Sequence, residues 1–155
     1  MIWPAEPLPA PPRIHFRVNG IPTTQGSKRG FVNPKTQRVI IVDDNKPELK
    51  RWRQDVIDAA KALRSGAWVP LDAAIELEVT FVLPRPQVHY GAHGLKPNAP
   101  HYVKGKPDLD KLVRAIMDAI TIAGLWRDDG RVASLITRKV YGDEPGCDVW
   151  VGLLT

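Results

Sequence analysis

A single α+β domain, with one mixed β-sheet and two main helices, follows from the order of apolar patterns along the chain. Two segments repeat apolar residues at helical spacing, and several short segments alternate or cluster as strands do. The two kinds mix without a regular βαβ repeat. At 155 residues the chain is long enough for one core and short for two.

The elements follow in order. Met1 to Pro12 contains five prolines and lacks both the basic n-region and the apolar h-region of a secretory signal. It is expected to be a flexible Pro-rich arm, leaving residues 13–155 as the domain. Ile14 to Val18 is apolar and strand-like; a Gly/Pro/Ser-rich turn region follows, then a strand near Arg38 to Val42 entered from the turn PKTQ. Pro47 suits a first helical position, and Leu49, Trp52, Val56, Ala59, Ala60 and Leu63 recur at helical spacing up to Gly66. Ile75, Leu77, Val79 and Phe81 alternate with Glu76, Glu78 and Thr80, as in a half-buried strand stopped by Pro84. Pro84 to Pro107 is rich in Pro, Gly and His and is expected to be a long loop, a feature that compact domains keep mainly for function or disorder. A second helix is expected from Asp108 to Ala123, with Leu109, Leu112, Val113, Ile116, Ile120 and Ala123 as its stripe and Gly124 as its stop. Val132 to Tyr141 and Cys147 to Leu153 complete the strands, joined by the turn GDEPG.

Composition narrows the function classes. No apolar run approaches the roughly 18 residues that span a bilayer, so no membrane association is expected. The lone Cys147 excludes an intramolecular disulfide and any cysteine-based zinc cluster, and it fits a reducing cytoplasm. The formal charge of +5 is uneven: Met1 to Pro107 carries 16 Lys+Arg against 9 Asp+Glu, whereas Asp108 to Thr155 carries 6 against 8. A basic body with a local acidic patch suits an enzyme that holds a polyanion and keeps carboxylates for a metal.

The acidic residues concentrate in KPDLDKLVRAIMDAITIAGLWRDDGRV, Lys106 to Val132. On a regular helix Asp108 and Asp110 would point about 200° apart, so both cannot hold one ion from within it. If Pro107 keeps the approach extended and the helix begins between them, the pair points to one side. The helix then places Arg114 and Asp118 at i+4 and i+8 from Asp110. After Gly124 the chain returns with Asp128-Asp129-Gly130, where adjacent side chains face opposite ways and only one aspartate can reach a shared metal. Carboxylates grouped in this way suit Mg²⁺, a hard cation that takes oxygen ligands and keeps several waters beside substrate phosphate. The same residues have a second reading. Asp108 can be an N-cap, Asp110 can sit in the first turn to favour the helix dipole, and Asp128-Asp129-Gly130 can be only a turn. Spacing alone leaves both open.

KPDLDKL, followed by RAIMDAI and GLWRDDGRV, resembles the signature of the RusA family of Holliday junction resolvases, particularly its phage-like branch. A weaker likeness extends to GIPTTQGSKRGF, the strand ending in LPRP, and the HYG and KPNAP pieces. The resemblance implies a RusA-like fold and a bacterial or phage-encoded cytoplasmic homodimer. It also implies binding of four-way DNA junctions and nicking of opposing strands in recombination and repair, with Mg²⁺, or Mn²⁺ in its place, held by three essential aspartates. Position by position these fall on Asp108, Asp110 and Asp129. Many members have Asn after the second aspartate and a functional lysine four residues after it, where this chain has Lys111 and Arg114. Arg114 is the catalytic cation expected here; it can clamp a phosphate bidentately but cannot readily give up a proton.

For the DNA, Lys28, Arg29, Lys35 and Arg38 cluster about a Gly/Ser-rich segment suited to phosphate contact, and Lys111 is a further candidate. Lys50, Arg51 and Arg53 offer a second basic surface, and Tyr90 an aromatic face for an unpaired base. Other features carry structural expectations: Asp43-Asp44 as a cap, Glu76 and Glu78 as the solvent side of a strand, His15 and Cys147 as strand residues. His89, His93 and His101 do not match the helical HExxH spacing. Two other functions stay open: a branched-DNA-binding protein without catalysis, and a metal-dependent phosphohydrolase of small nucleotides.

Overall fold

The computed structural model describes residues 13–26, 29–42 and 46–155. Its centre is a four-stranded mixed sheet in the order β1 (Arg13–Asn19), β8 (Gly146–Leu153), β4 (Ile75–Leu83), β7 (Val132–Tyr141). β8 runs antiparallel to both β1 and β4, while β4 and β7 are parallel. A parallel pair requires a crossover. The chain between β4 and β7 supplies it with helix α2 (Leu109–Ala123), and it is this crossover that carries the acidic stretch.

Register gives the sheet two unlike faces. Phe16 pairs with Val149 and Val18 with Cys147; Leu77, Val79 and Phe81 pair with Val151, Val149 and Cys147. These side chains are buried under α1 (Pro47–Ala62) and α2, which pack on each other. From α1, Leu49, Trp52, Val56, Ile57 and Ala60 enter the core. From α2, Leu112, Ile116 and Ile120 enter it between Ala115, Ala119 and Ala123, whose small side chains permit close packing. Each buried Leu or Ile contributes about 1.5–3 kcal/mol relative to exposure. No polar or charged residue is buried among those described.

The opposite face carries paired charges. Glu78 lies 3.2 Å from Arg13 and 3.7 Å from Arg138, and Asp148 takes Arg17 at 2.8 Å and His15 at 3.0 Å. Glu76 and Glu78 are thus the outer side of β4, His15 is a strand residue lying against Trp150, and Cys147 is a core residue whose thiol burial pushes up to about 12.

Two regions depart from the sequence expectation. Arg29–Val32 is strand β2 rather than turn; it pairs antiparallel with β3 (Val39–Val42) across the PKTQ turn. Four residues, RGFV, carry too short a pattern to announce that pairing. Within Pro84 to Pro107 the chain is more organised than a loop: a 3₁₀ turn, Gln87–His89, leads into a small hairpin of β5 (Tyr90–Gly91) and β6 (Gly94–Leu95). The arm, Lys28 and Asp43-Asp44 lie outside the described residues. Among those described, no helix is long and apolar enough to cross a membrane.

Candidate functional site

The helix begins at Leu109, between the two aspartates, after a cis peptide bond joining Lys106 to Pro107. Asp108 is the N-cap residue, extended at φ −70°, ψ 130°, and its carbonyl accepts the Leu112 N–H at 3.1 Å. Its side chain caps nothing. The carboxylate instead accepts from Lys106 Nζ at 2.8 and 2.9 Å and lies 3.5 Å from Lys111 Nζ. Lys106, with a smaller pull from Lys111, holds the Asp108 carboxyl below the usual carboxylate range. Together with Thr24 and Pro107 these groups line an open cleft of about 400 Å³. The Asp110 side chain, in the first turn, is exposed and has no hydrogen bond or ion pair among the described residues.

Backbone contacts fix this entrance. Lys139, near the end of β7, donates to the carbonyls of Gly105 and of Pro107, the latter at 2.8 Å. On the other side the Gln25 N–H donates to the Lys111 carbonyl at 3.1 Å. The Gln25 side chain bridges Arg53, at 3.0 Å, to Asp118. Asp118 is therefore engaged in the seam between the helices, and Arg53 is turned into that seam rather than presented as a free surface cation. Sequence pattern points to neither Lys139 nor Gln25; only the GIPTTQG likeness touches the latter.

Helix α2 ends at Gly124, whose φ of 72° is left-handed and whose N–H closes on the Ile120 and Thr121 carbonyls. Glycine takes that conformation without a Cβ penalty. Buried Trp126 then anchors the return by donating to Thr121 Oγ at 2.7 Å. Arg127 and Arg131 both bind Asp72, whose carboxyl they hold below its usual range, Arg131 more strongly. In the turn itself Asp128 accepts the Gly130 N–H at 2.9 Å and lies 3.5 Å from Arg131. Asp129, in a short 3₁₀ turn packed against α2, accepts the Val132 N–H on its carbonyl, while its exposed side chain has no hydrogen bond or ion pair among the described residues.

Among the described residues no three His, Cys, Asp or Glu side chains stand close enough to hold a metal ion. Asp108, Asp110 and Asp129 are brought to neighbouring elements but not to one point. The Asp108 carboxylate is drawn to Lys106 and Lys111. Chemically the donors fit Mg²⁺: all are accessible carboxylates, hard oxygen ligands, and the Asp110 and Asp129 side chains have no competing partner among the described residues. At Asp108, Lys106 is the group that must give way.

Arg114 is exposed, one turn beyond Asp110 and on the same side of α2. Lys111 lines the Asp108 cleft, whereas exposed Lys35 and Arg38 belong to the β2–β3 hairpin and do not. Arg29 is placed as a β2 strand residue. The three loop histidines are dispersed, with His89 edge-on to Tyr141 and His101 edge-on to Tyr102.

The model of the endodeoxyribonuclease RusA family matches residues 21–151, which takes in both aspartate clusters and nearly every element. The chain belongs to the RusA endodeoxyribonuclease family. That membership places the fold among nucleases. It gives the GIPTTQG segment a structural meaning, as the loop that Gln25 ties to α2 beside the cleft. The chain is also 28% identical over 144 residues to the uncharacterized protein YqaN of Bacillus subtilis (strain 168), covering 89% of this chain and 94% of that protein. So the likeness to YqaN runs through the whole domain rather than the acidic stretch alone.

Proposed function

We propose that this RusA-family chain is a Mg²⁺-dependent endonuclease that resolves four-way DNA junctions in recombination and repair by paired hydrolysis of opposing strands. The observation that carries the reading is Asp108. It occupies an N-cap position, yet its carboxylate leaves the helix N–H groups alone and faces an open cleft lined by lysines. Asp108, Asp110 and Asp129 would hold the ion. A bound Mg²⁺ supplies water activation and charge neutralisation at phosphorus.

The chain's own residues supply the rest. Lys139 and Gln25 fix the backbone on either side of Asp108. Lys111 steers phosphate towards the cleft. The Arg114 guanidinium, always charged, clamps non-bridging phosphate oxygens, and it leaves proton transfer to water. Lys35 and Arg38, on the exposed hairpin, contact more distant phosphates, with Lys28 and Arg29 assigned the same role from sequence. A buried thiol at Cys147, needing no oxidising compartment, agrees with a cytoplasmic setting.

Paired incision calls for two sites, and a homodimer provides them. Support for a pairing surface comes from β7, an edge strand of the sheet. Residues 101–103 bond to its last three residues. The preceding stretch pairs with β4 on its inner side, has no partner strand on its outer edge among those described, and shows Leu135 and Ile136 at 47% and 38% exposure.

The test is incubation of the chain with a mobile four-way junction, a linear duplex and a free nucleotide, each with Mg²⁺ and with excess EDTA. The junction alone should be cut, in two opposing strands, and only with metal; binding should persist in EDTA. With about four to eight phosphate contacts, log affinity should fall against log salt with a slope of roughly −4 to −7. Binding without cutting under any metal condition would replace this reading with that of a junction-binding protein. Hydrolysis of the nucleotide instead would make the chain a small-molecule phosphohydrolase.

A further inference from the structure

The hairpin region between β4 and α2 holds charge and apolar surface that the acidic site does not use. From Pro84 to Gly105 the sequence contains Arg85, Lys96, Lys104 and three histidines, but no Asp or Glu. The segment is tied down. Arg85 donates to the Pro100 carbonyl at 2.7 Å and lies 5.4 Å from the centre of the Tyr141 ring, and the backbone N–H groups of Val103 and Tyr141 close on Lys139 and His101. A rigid, wholly cationic segment is electrostatically suited to a polyanion.

At its root lies a second open cleft, of about 410 Å³, lined by Arg85, Gln87, Tyr90 and Asp143 together with Gly142 and prolines. Its chemistry is unlike that of a phosphate site. Tyr90, 37% exposed, presents an aromatic face. Gln87 offers both a donor and an acceptor, and Asp143 only an acceptor. A carboxylate beside a phosphate repels it, but beside a nucleobase it accepts a ring or amino N–H. An aromatic face with edge-reading polar groups is how proteins hold unstacked bases. A lipid surface would also meet cations and apolar side chains, but Asp143 and Gln87 would then face headgroup phosphates to no advantage.

We propose that this cleft receives an unpaired nucleobase of the bound DNA, with Tyr90 stacking on the ring and Gln87 and Asp143 meeting its edge. The inference rests on the DNA reading above and adds a contact distinct from the acidic site. The two are linked through the end of β7: Lys139 anchors the entrance to Asp108, and Gly142 and Asp143, which line the cleft, follow directly after the strand. Branched DNA offers unstacked bases to such a cleft and a linear duplex does not.

The experiment uses the full chain in EDTA with a four-way junction, a linear duplex of the same sequence and a 12-nucleotide single strand. 5-Iododeoxyuridine, placed either at the branch point or in an arm, is photo-crosslinked and the attachment mapped. The branch-point probe should crosslink to Tyr90 and the arm probe should not. Tyr90→Ala should weaken single-strand and junction binding about five- to a hundred-fold and leave duplex binding within two-fold, while Tyr90→Phe, which keeps the ring, should behave as wild type. Absence of a branch-point crosslink to Tyr90, with single-strand affinity unchanged in Tyr90→Ala, overturns the proposal while leaving junction binding by the wild-type chain intact. A wild-type chain that binds none of the three DNAs overturns the DNA reading as well. Binding to anionic phospholipid vesicles that Tyr90→Ala abolishes, with DNA affinity unchanged, assigns the surface to membranes instead.

Discussion

Two turns deliver the candidate carboxylates, one before α2 and one after it, and they divide labour differently. Before the helix, Asp108 holds the capping position, but its backbone carbonyl makes the first helical bond and its side chain is left to the cleft and its lysines. After the helix two aspartates stand together. Asp128 accepts the Gly130 N–H and pairs with Arg131, and Asp129 keeps an uncommitted carboxylate. A carboxylate relieved of structural duty is available for chemistry. In the first turn the relief comes from backbone geometry, in the second from a neighbouring side chain of the same type.

The sharpest way to break this comparison is Asp→Asn substitution, because asparagine caps a helix about as well as aspartate but binds Mg²⁺ poorly. Asp108→Asn, Asp110→Asn and Asp129→Asn should each fold, bind junctions at least as well as wild type, and cut more than about 10³-fold slower. That exceeds the roughly 10–100-fold lost when a supporting partner of a metal site is removed. Junction-cleavage rates under single-turnover conditions decide it. A near-normal rate in the Asp108 or Asp110 variant would remove that residue from the metal site.

A smaller effect separates holding the site from composing it. Lys139→Met removes both hydrogen bonds to the backbone leading into Asp108 and should slow cutting by about 10–100-fold, with apparent Mg²⁺ affinity weakened and junction affinity kept within a few-fold. Lys139→Arg, which can still reach carbonyls, should recover part of the rate and of the metal affinity. If Lys139→Met lowers junction affinity in EDTA as much as it lowers the rate, the lysine contacts DNA and is no support for Asp108.

What was legible in the sequence follows from how local each signal is. Helices α1 and α2 and strand β4 repeat apolar residues over many turns or alternations, and Gly124 marks its helix end by its own conformational freedom. A start of α2 between Asp108 and Asp110 was one of the readings that Pro107 and the spacing left open, and the structure begins the helix at Leu109. Strand β2 and the β5–β6 hairpin were not legible, because strands of two to four residues gain their identity from a partner elsewhere in the chain. The same holds for the site. Asp108, Asp110 and Asp129 stand out as a pattern within one stretch, whereas Lys139 lies 31 residues beyond Asp108 and Gln25 lies 83 before it. Their relevance appears only when the sheet edge and the loop at residues 20–26 are folded against the start of α2. Arg53 illustrates the converse: its place in a basic run suggested a solvent cation, and its bond to Gln25 takes it into the seam between the helices.

The smallest expected effect tests the division of labour inside the Asp128-Asp129 pair. Asp128→Asn keeps an oxygen able to accept the Gly130 N–H and loses only a half-exposed ion pair with Arg131, a contact worth about 0–1 kcal/mol. Cutting should therefore stay within a few-fold of wild type, while Asp129→Asn, one residue away and conserving the same shape, removes almost all of it. Asp128→Ala goes one step further and deletes the turn's hydrogen bond, which costs about 1 kcal/mol and lets the Asp129 backbone wander. Its rate should fall by less than about ten-fold, below the range for direct loss of a metal-site partner, with melting temperature slightly lowered. The ratio of the Asp128→Asn rate to the Asp129→Asn rate is thus the measure of the assignment. A ratio well above one keeps Asp129 as the ligand, and a ratio below one means that Asp128 turns from Gly130 to the ion and that the two aspartates exchange roles when metal and DNA are bound.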